Sequence, residues 1–298
     1  LMRGYPANAI NTITFYRDSQ PMPADLEQSL IIHQLAIKNS SQFHPVSDKQ
    51  LRIEFIGDSI TSGEGLAGAP SEKNWMSAWI SSSDTYAVQT ARILDADFQI
   101  ISQCGWGVIT SWNNNPNDNI PRIYEKRCGL MIGEFQESLG SQIDHPIDSS
   151  QWSPDVIVVN LGTNDDIAFQ SPAWVNKKLG VQYKLRTDAQ GAATNEDGMK
   201  FARGVMDFLI KLRKIHPNAI IVWVWGMMEI PIVEPYLNIA LDLYIKEHDK
   251  KIYRIKLPSK NCEKNEKDKG ARGHPGPKTH RKAAELLSAF IQKIINDQ

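Results

Sequence analysis

The sequence predicts an α/β fold built on a five-stranded parallel sheet. From position 50 onward, short apolar runs alternate with amphipathic stretches, which is the pattern of βα units whose sheet is covered by helices on both faces. The length of 298 residues is sufficient for one large domain of this class. The predicted strands are LRIEFI (51–56), DFQIIS (97–102), DVIVVNL (155–161), AIIVWVW (219–225) and KIYRIK (251–256).

Four amphipathic stretches between and after these strands are interpreted as helices. In the last of them, apolar residues recur at a spacing that places them on one helix face, so this helix is expected to close the domain by packing on the sheet. The predicted helices are DTYAVQTARILD (84–95), EDGMKFARGVMDFLIKLRKIH (196–216), EPYLNIALDLYIKEH (234–248) and KTHRKAAELLSAFIQKII (278–295).

The first 48 residues have a different pattern and are interpreted as a β-rich segment in front of the α/β domain, which we place at 49–298. The runs AINTITFYRD (9–18) and SLIIHQLAIK (29–38) are short and β-type, and a turn-rich link with prolines separates them. Two strands do not form an independently stable domain. The segment is therefore expected to pack on the α/β body or to be the remnant of a larger β domain.

Composition excludes several classes of partner. The chain has 33 Lys plus Arg against 34 Asp plus Glu, and this balance gives no general attraction to nucleic acid or to an anionic membrane. The longest apolar run, AIIVWVWGMM, is about half of the roughly 20 residues that a membrane-spanning helix needs, so no span is predicted. The first residues show no signal peptide pattern. The compartment and the oligomeric state stay open.

Residues that follow the predicted strands form the candidate site, since ligands of open parallel sheets collect at the carboxyl ends of the strands. Ser59 follows the first strand in GDSITSGEG, Gly107 follows the second in QCGWGVITSW, and Asn164 follows the third in GTNDD. His274 stands in GHPGPKTH, ahead of the final helix. A serine nucleophile needs a base and oxyanion donors. We expect His274 to be the base, and Ser59 N–H, Gly107 N–H and the Asn164 side chain to be the donors.

Each of these residues also has a purely structural explanation. Gly-Asp-Ser is ordinary turn chemistry for Ser59, His274 with its following proline can open a helix, and Asn164 can satisfy turn backbone. Phosphate binding by the first loop is disfavoured, because no lysine follows its glycines and the G-x-G-x-x-G spacing is absent. The presence of all of these residues after successive strands favours the catalytic interpretation.

Taken in order, GDSITSGEG, the glycine of CGWGV, LGTND and GHPGPKTHRKAAELL resemble four sequence blocks of the SGNH, or GDSL, hydrolase superfamily. The resemblance covers positions 53 to 287 and implies a flavodoxin-like three-layer α/β/α sandwich. It also implies that Ser59 is the nucleophile, that His274 is the base, and that Ser59, Gly107 and Asn164 form the oxyanion hole.

Within the superfamily, the sequence is most similar to carbohydrate esterase family 2. The similarity lies in the β-rich segment, the motif IEFIGDSIT and the tryptophan-containing glycine loop. Members of that family remove acetyl groups from xylan and related sugars. They carry an N-terminal jelly-roll domain, of which residues 1–48 would be a remnant.

One position departs from the superfamily pattern. Most members have an aspartate three residues before the histidine, where this sequence has Ala271. Three explanations stay open: a backbone carbonyl orients the imidazole, Asp268 or Glu266 folds back as the third catalytic member, or the site is inactive. We favour the carbonyl, because Nδ1–H needs an acceptor rather than a charge to fix the tautomer. If Arg272 points toward the ring, we expect it to favour the neutral base.

Two tryptophans in the loop after the second strand, Trp106 and Trp112, are candidates to line an acyl or sugar pocket. The sequence thus predicts a serine esterase that hydrolyses small acyl esters, with O-acetyl groups on carbohydrate as the expected substrate. Neither a metal nor an organic cofactor is expected, and the expected partner is a small-molecule or oligosaccharide ester. A lipid or lysophospholipid esterase and a catalytically silent carbohydrate-binding protein are the alternatives.

Overall fold

The central feature of the fold is a five-stranded sheet in which every neighbouring pair of strands is parallel. The computed structural model describes residues 9–20, 32–36, 42–143, 152–259 and 268–297. The sheet order β2-β1-β3-β6-β7 brings the carboxyl ends of the first three strands side by side. The strands are β1 (Leu51–Gly57), β2 (Ala96–Ser102), β3 (Val156–Asn160), β4 (Trp174–Asn176), β5 (Val181–Tyr183), β6 (Ile220–Trp225) and β7 (Ile252–Lys256), of which β4 and β5 form a separate antiparallel hairpin.

Helices precede or follow each strand of the large sheet. All five predicted strands and all four predicted helices are confirmed, and their bounds differ from the predicted ones by at most two residues. Within the part of the chain that the structure describes, no helix is long and apolar enough to cross a membrane. The α-helices are α1 (Ser59–Ser62), α2 (Tyr86–Ile93), α3 (Ile120–Ile123), α4 (Glu134–Ser138), α5 (Thr163–Gln170), α6 (Asn195–Ile215), α7 (Glu234–Glu247) and α8 (Pro277–Asn296).

The strand β3 shows how the sheet becomes the middle layer of three. All five of its residues are buried, and successive side chains point to opposite faces. Ile157 and Val159 belong to a core cluster shared with α6 and α7, whereas Val156 and Val158 belong to a second cluster shared with α2 and α8. The helices therefore cover both faces, and the predicted α/β/α sandwich is confirmed.

The N-terminal segment differs from the prediction. Residues 9–20, 32–36 and 42–50 contain no strand and no helix. The β-rich prediction is therefore wrong for AINTITFYRD (9–18) and for the described part of the second run, whose other residues lie outside the described ranges. A β-type sequence forms a strand only where a neighbouring strand accepts its backbone hydrogen bonds.

Side chains instead fasten residues 9–20 to the α/β body. The Asp18 carboxylate accepts hydrogen bonds from Ser83 N–H at 2.7 Å and from Ser82 Oγ at 2.9 Å. Gln20 Nε2 donates to Ser62 Oγ at 2.8 Å and to Ser102 O at 3.0 Å, and its Oε1 accepts from Cys104 N–H at 3.2 Å. Gln20 thereby joins the helix that follows β1 to the loop that follows β2.

Candidate active site

Ser59 lies at the first position of α1, directly after β1. Asp58 caps this short helix, because its Oδ1 accepts a hydrogen bond from Ile60 N–H at 3.0 Å. Ser59 Oγ lies 2.9 Å from Nε2 of His274, a residue 215 positions later in the chain. The structure thus brings the two predicted catalytic side chains to hydrogen-bonding distance, which is the arrangement that activates a serine hydroxyl.

A close contact between two loops positions His274. Ala271 N–H donates to Gly65 O at 3.0 Å, and Gly270 N–H donates to His274 O at 2.9 Å. Gly65 has a φ of 85°, and a Cβ at this position would lie 2.6 Å from Ala271 O and 2.9 Å from His274 Cβ. Only glycine satisfies both constraints. The last glycine of GDSITSGEG, Gly65, therefore lets the histidine loop approach the nucleophile.

Asn164 lies at the start of α5, next to the nucleophile turn. Its Nδ2 donates to Trp106 O at 3.0 Å and to Asp58 Oδ2 at 3.2 Å, so both amide hydrogens have acceptors. Donation to an oxyanion therefore requires that Asn164 exchange one of these acceptors. Burial raises the pKa of Asp58 to about 7, although the hydrogen bond from Ile60 N–H opposes this change.

The backbone N–H of Gly107, an expected oxyanion donor, has an acceptor within its own loop. Its N–H already donates to Thr110 O at 2.9 Å. A Cβ at position 107 would lie 2.2 Å from Asp165 Oδ2, so the glycine is needed for packing against this carboxylate. The assignment of Gly107 N–H as an oxyanion donor stays a prediction. No described residue accepts a hydrogen bond from the N–H of Gly105, which lies two positions earlier in the same loop.

Asp165 holds the glycine loop in place. Its carboxylate accepts hydrogen bonds from Val108 N–H at 2.8 Å and from Ile109 N–H at 2.9 Å. Burial raises the pKa of Asp165 to about 6, and these backbone hydrogen bonds oppose the rise. Asp165 therefore accepts hydrogen bonds from backbone N–H groups of a loop other than its own.

Asp268 precedes α8 in the chain and contacts the first turn of that helix, where its Oδ2 accepts a hydrogen bond from Thr279 N–H at 2.6 Å. Its backbone oxygen also accepts from Gly276 N–H at 3.1 Å. These contacts give Asp268 the role of a helix cap. Its assignment as a third catalytic member stays a prediction, and Glu266 lies outside the described residues.

Sequence reasoning missed Glu64, an acid at the catalytic pair. The Glu64 side chain is 4% exposed, and its Oε2 lies 3.7 Å from His274 Nε2. Its Oε1 accepts a hydrogen bond from Arg272 Nη1. Arg272 thus forms an ion pair with Glu64. From the sequence, Arg272 was considered only as a positive charge near the His274 ring, and this partner was not predicted. The signal was present, because Glu64 belongs to the nucleophile motif GDSITSGEG.

The two tryptophans of the glycine loop have different environments. Trp106 is partly buried and packs against the core cluster shared with α6 and α7. The Trp112 residue is 50% exposed, and its backbone N–H donates a hydrogen bond to Gly105 O at 3.0 Å. Trp112 therefore offers an aromatic face to solvent beside the glycine loop. Within the described ranges, no group of three or more His, Cys, Asp and Glu side chains is arranged to hold a metal ion.

Comparison with known proteins reveals clear relatives, although no protein-family model matches the sequence. The solved structure of the acetyl xylan esterase Est2A from the rumen bacterium Butyrivibrio proteoclasticus is 38% identical, with a TM-score of 0.81 over 87% of this chain and 68% of that chain. A family two carbohydrate esterase from Clostridium thermocellum, solved in complex with cellohexaose, shares the fold at 24% identity, with a TM-score of 0.66 over 85% of this chain and 67% of that chain.

A curated relative matches a shorter stretch. The acetylxylan esterase / glucomannan deacetylase of Cellvibrio japonicus (strain Ueda107) is 34% identical over 118 residues, which are 39% of this chain and 30% of that protein. The chain spans less than a third of the length of the curated relatives that it matches.

Proposed function

This chain belongs to carbohydrate esterase family 2 of the SGNH hydrolase superfamily, and on that premise we propose that it is a serine esterase that removes O-acetyl groups from carbohydrate. The observation that carries the proposal is the 2.9 Å distance between Ser59 Oγ and His274 Nε2. A serine hydroxyl is a weak nucleophile until a base at this distance takes its proton. The names of two relatives support acetylated xylan or glucomannan as the substrate class.

The reaction proceeds through an acyl-enzyme. Ser59 Oγ attacks the acetyl carbonyl carbon while His274 Nε2 takes the hydroxyl proton. The tetrahedral intermediate collapses, its bond to the sugar oxygen breaks, and that oxygen receives the proton from His274. Water then attacks the acetyl-serine, again with His274 as base, and acetate leaves with Ser59 restored.

The oxyanion needs donors that are not used elsewhere in the chain. Ser59 N–H is one, since the first N–H groups of a helix have no intrahelical acceptor. For the second donor we assign Gly105 N–H in place of Gly107 N–H, because the latter is bonded to Thr110 O. Asn164 becomes a third donor if it releases Trp106 O.

The proposal is tested by hydrolysis of para-nitrophenyl acetate and of an acetylated xylo-oligosaccharide. We expect Ser59→Ala and His274→Ala each to lower turnover by about 10³-fold or more. Asp268→Ala is the comparison variant. Its carboxylate binds Thr279 N–H, so we expect a lower melting temperature with turnover largely retained.

Other outcomes identify the alternatives. Activity that rises from acetyl toward octanoyl esters would indicate a lipid esterase. Glycan binding without turnover of any ester, and without an effect of Ser59→Ala, would indicate a silent binding protein. Loss of turnover in Asp268→Ala with an unchanged melting temperature would support the prediction that Asp268 is a third catalytic member.

A further inference from the structure

We propose that Glu64, paired with Arg272, is a positioning residue of the esterase site and stabilises the protonated form of His274 during the reaction. The inference rests on the proposed function and extends it to a residue outside the serine-histidine pair. It gives this chain a source of negative charge beside the base, although Ala271 stands where most of the superfamily has an aspartate.

Glu64 is built into the same turn as the nucleophile. Its backbone N–H donates to Ser59 O at 2.9 Å, so the two residues are held together by main-chain geometry. Its carboxylate is nearly fully buried, and Oε2 lies 3.7 Å from His274 Nε2. This is the nitrogen that faces Ser59 Oγ. The negative charge therefore lies next to the atom that gains the proton when Ser59 attacks.

Arg272 fixes the orientation of this carboxylate. Its Nη1 donates to Glu64 Oε1, which leaves Oε2 directed toward the histidine. Arg272 has a φ of 56°, in the left-handed region that side-chain-bearing residues rarely adopt, and its N–H donates to Glu72 O at 2.8 Å. Such a backbone persists only where surrounding contacts hold it. The arginine is thus held in place two residues before the base.

Other titratable groups also face the pair. Cys104 reaches Glu64 from the glycine loop, and burial raises the pKa of its thiol, with the Glu64 carboxylate adding to the rise, so the thiol stays protonated. Asp58 approaches from the nucleophile turn and His280 from α8. Among these groups, Glu64 and Arg272 are the two joined by an ion pair at the histidine.

The chemistry follows from one negative carboxylate that lies between two groups able to carry positive charge, the Arg272 guanidinium and the His274 imidazole. When Ser59 gives up its proton, His274 becomes positively charged, and a carboxylate at 3.7 Å favours this charged form. Arg272 has the opposite effect, because its positive charge disfavours a second positive charge nearby. Loss of Glu64 should therefore weaken the base, and loss of Arg272 should strengthen it.

The test is the pH profile of kcat/KM for para-nitrophenyl acetate. In Glu64→Gln, which keeps the shape and an acceptor for Arg272, we expect the acidic limb to move to lower pH by about 1 unit. Turnover should fall about 10-fold or more at the optimum, because the imidazolium loses its stabilising charge. In Arg272→Met, the acidic limb should move to higher pH. A purely structural role would not produce shifts of opposite sign.

Glu54→Gln is the matched control. Glu54 is a second buried glutamate and lies in β1. Its carboxylate accepts a hydrogen bond from Tyr124 OH at 2.5 Å, whereas the Glu64 carboxylate lies next to His274. We expect this variant to change the melting temperature and to keep the native acidic limb. Should Glu64→Gln prove unstable, Glu64→Asp keeps the charge, and the acidic limb should then stay closer to that of the native protein than to that of Arg272→Met.

A substrate-independent measurement separates this inference from the proposed function. The ring signals of His274, identified by their loss in His274→Ala, are titrated by NMR in the native protein and in Glu64→Gln. If no ester is hydrolysed by the native chain, the proposed function fails, and the titration still decides the role of Glu64. A lower midpoint in Glu64→Gln supports that role. Equal midpoints in the two proteins, or equal acidic limbs, overturn it.

Discussion

We expect His280 in α8 to make the stability of this protein sensitive to acid. The side chain is fully buried, and its Nδ1 accepts a hydrogen bond from Tyr86 N–H at 2.9 Å. Nδ1 therefore carries no proton, and adding one would break this bond at the start of α2. Burial lowers the pKa of His280 to about 3, and the nearby His274 adds to this effect.

The sign and size of the effect follow from proton linkage. Below the ordinary histidine pKa of 6.5, the histidine of the unfolded chain binds a proton and the buried His280 of the folded chain does not. The free energy of unfolding therefore falls as the pH falls. Each pH unit below that value costs about 1.4 kcal/mol until the folded pKa is reached. Between pH 7 and pH 5, His280 alone should remove about 2 kcal/mol from the free energy of unfolding.

The change to make is His280→Asn, because the asparagine side-chain oxygen can still accept a hydrogen bond from Tyr86 N–H but does not titrate. The free energy of unfolding is measured by urea denaturation at pH 7 and pH 5 for both proteins. We expect the loss between these two values to be smaller in the variant by about 2 kcal/mol. Other buried groups titrate alike in both proteins, so the comparison isolates His280.

His44→Asn is the control, because the His44 side chain is exposed. It should leave the pH 7 to pH 5 difference as it is in the native protein. Equal losses of unfolding free energy over this range in His280→Asn and in the native chain would contradict this role of His280. That result would mean that His280 takes up its proton in the folded state as readily as in the unfolded one.

Three further changes test other contacts. Trp112→Ala should raise KM for an acetylated xylo-oligosaccharide about 10-fold through lost stacking, with KM for para-nitrophenyl acetate unchanged; equal changes for both substrates would contradict a sugar-binding role. Gln20→Ala removes three hydrogen bonds, so we expect the unfolding free energy to fall by about 1–3 kcal/mol and kcat by several-fold. Gly107→Ala forces a Cβ against Asp165 Oδ2 and should cost about 1–3 kcal/mol in urea denaturation; native stability would contradict this packing.

Long elements with a clear period could be predicted from the sequence. The strand β3 is a continuous apolar run because helices cover both of its faces, and α8 repeats apolar residues on one face. The hairpin of β4 and β5 and the short helix α4 could not be predicted in this way. Their three to five residues are too few to show a period, so tertiary contacts decide their conformation.

Motif order in the sequence predicted which side chains would meet at the candidate site. Ser59 and His274 were identified from motif order although 215 positions separate them. The choice between Gly105 and Gly107 depends on which N–H a turn leaves without an acceptor, and CGWGV does not encode this directly. Glu64 was missed because its importance depends on a distance to His274 that arises only after folding.

The loop that follows β3 holds the other two site loops. Asn164 donates hydrogen bonds to Asp58 of the nucleophile turn and to Trp106 O of the glycine loop. The Asp165 carboxylate accepts hydrogen bonds from backbone N–H groups of that same glycine loop, including Val108 N–H. The three loops therefore cannot be exchanged one at a time between relatives without leaving buried groups unpaired. Divergence in substrate range should instead occur at exposed positions outside this network, such as the Trp112 side chain, or through replacement of all three loops as a set.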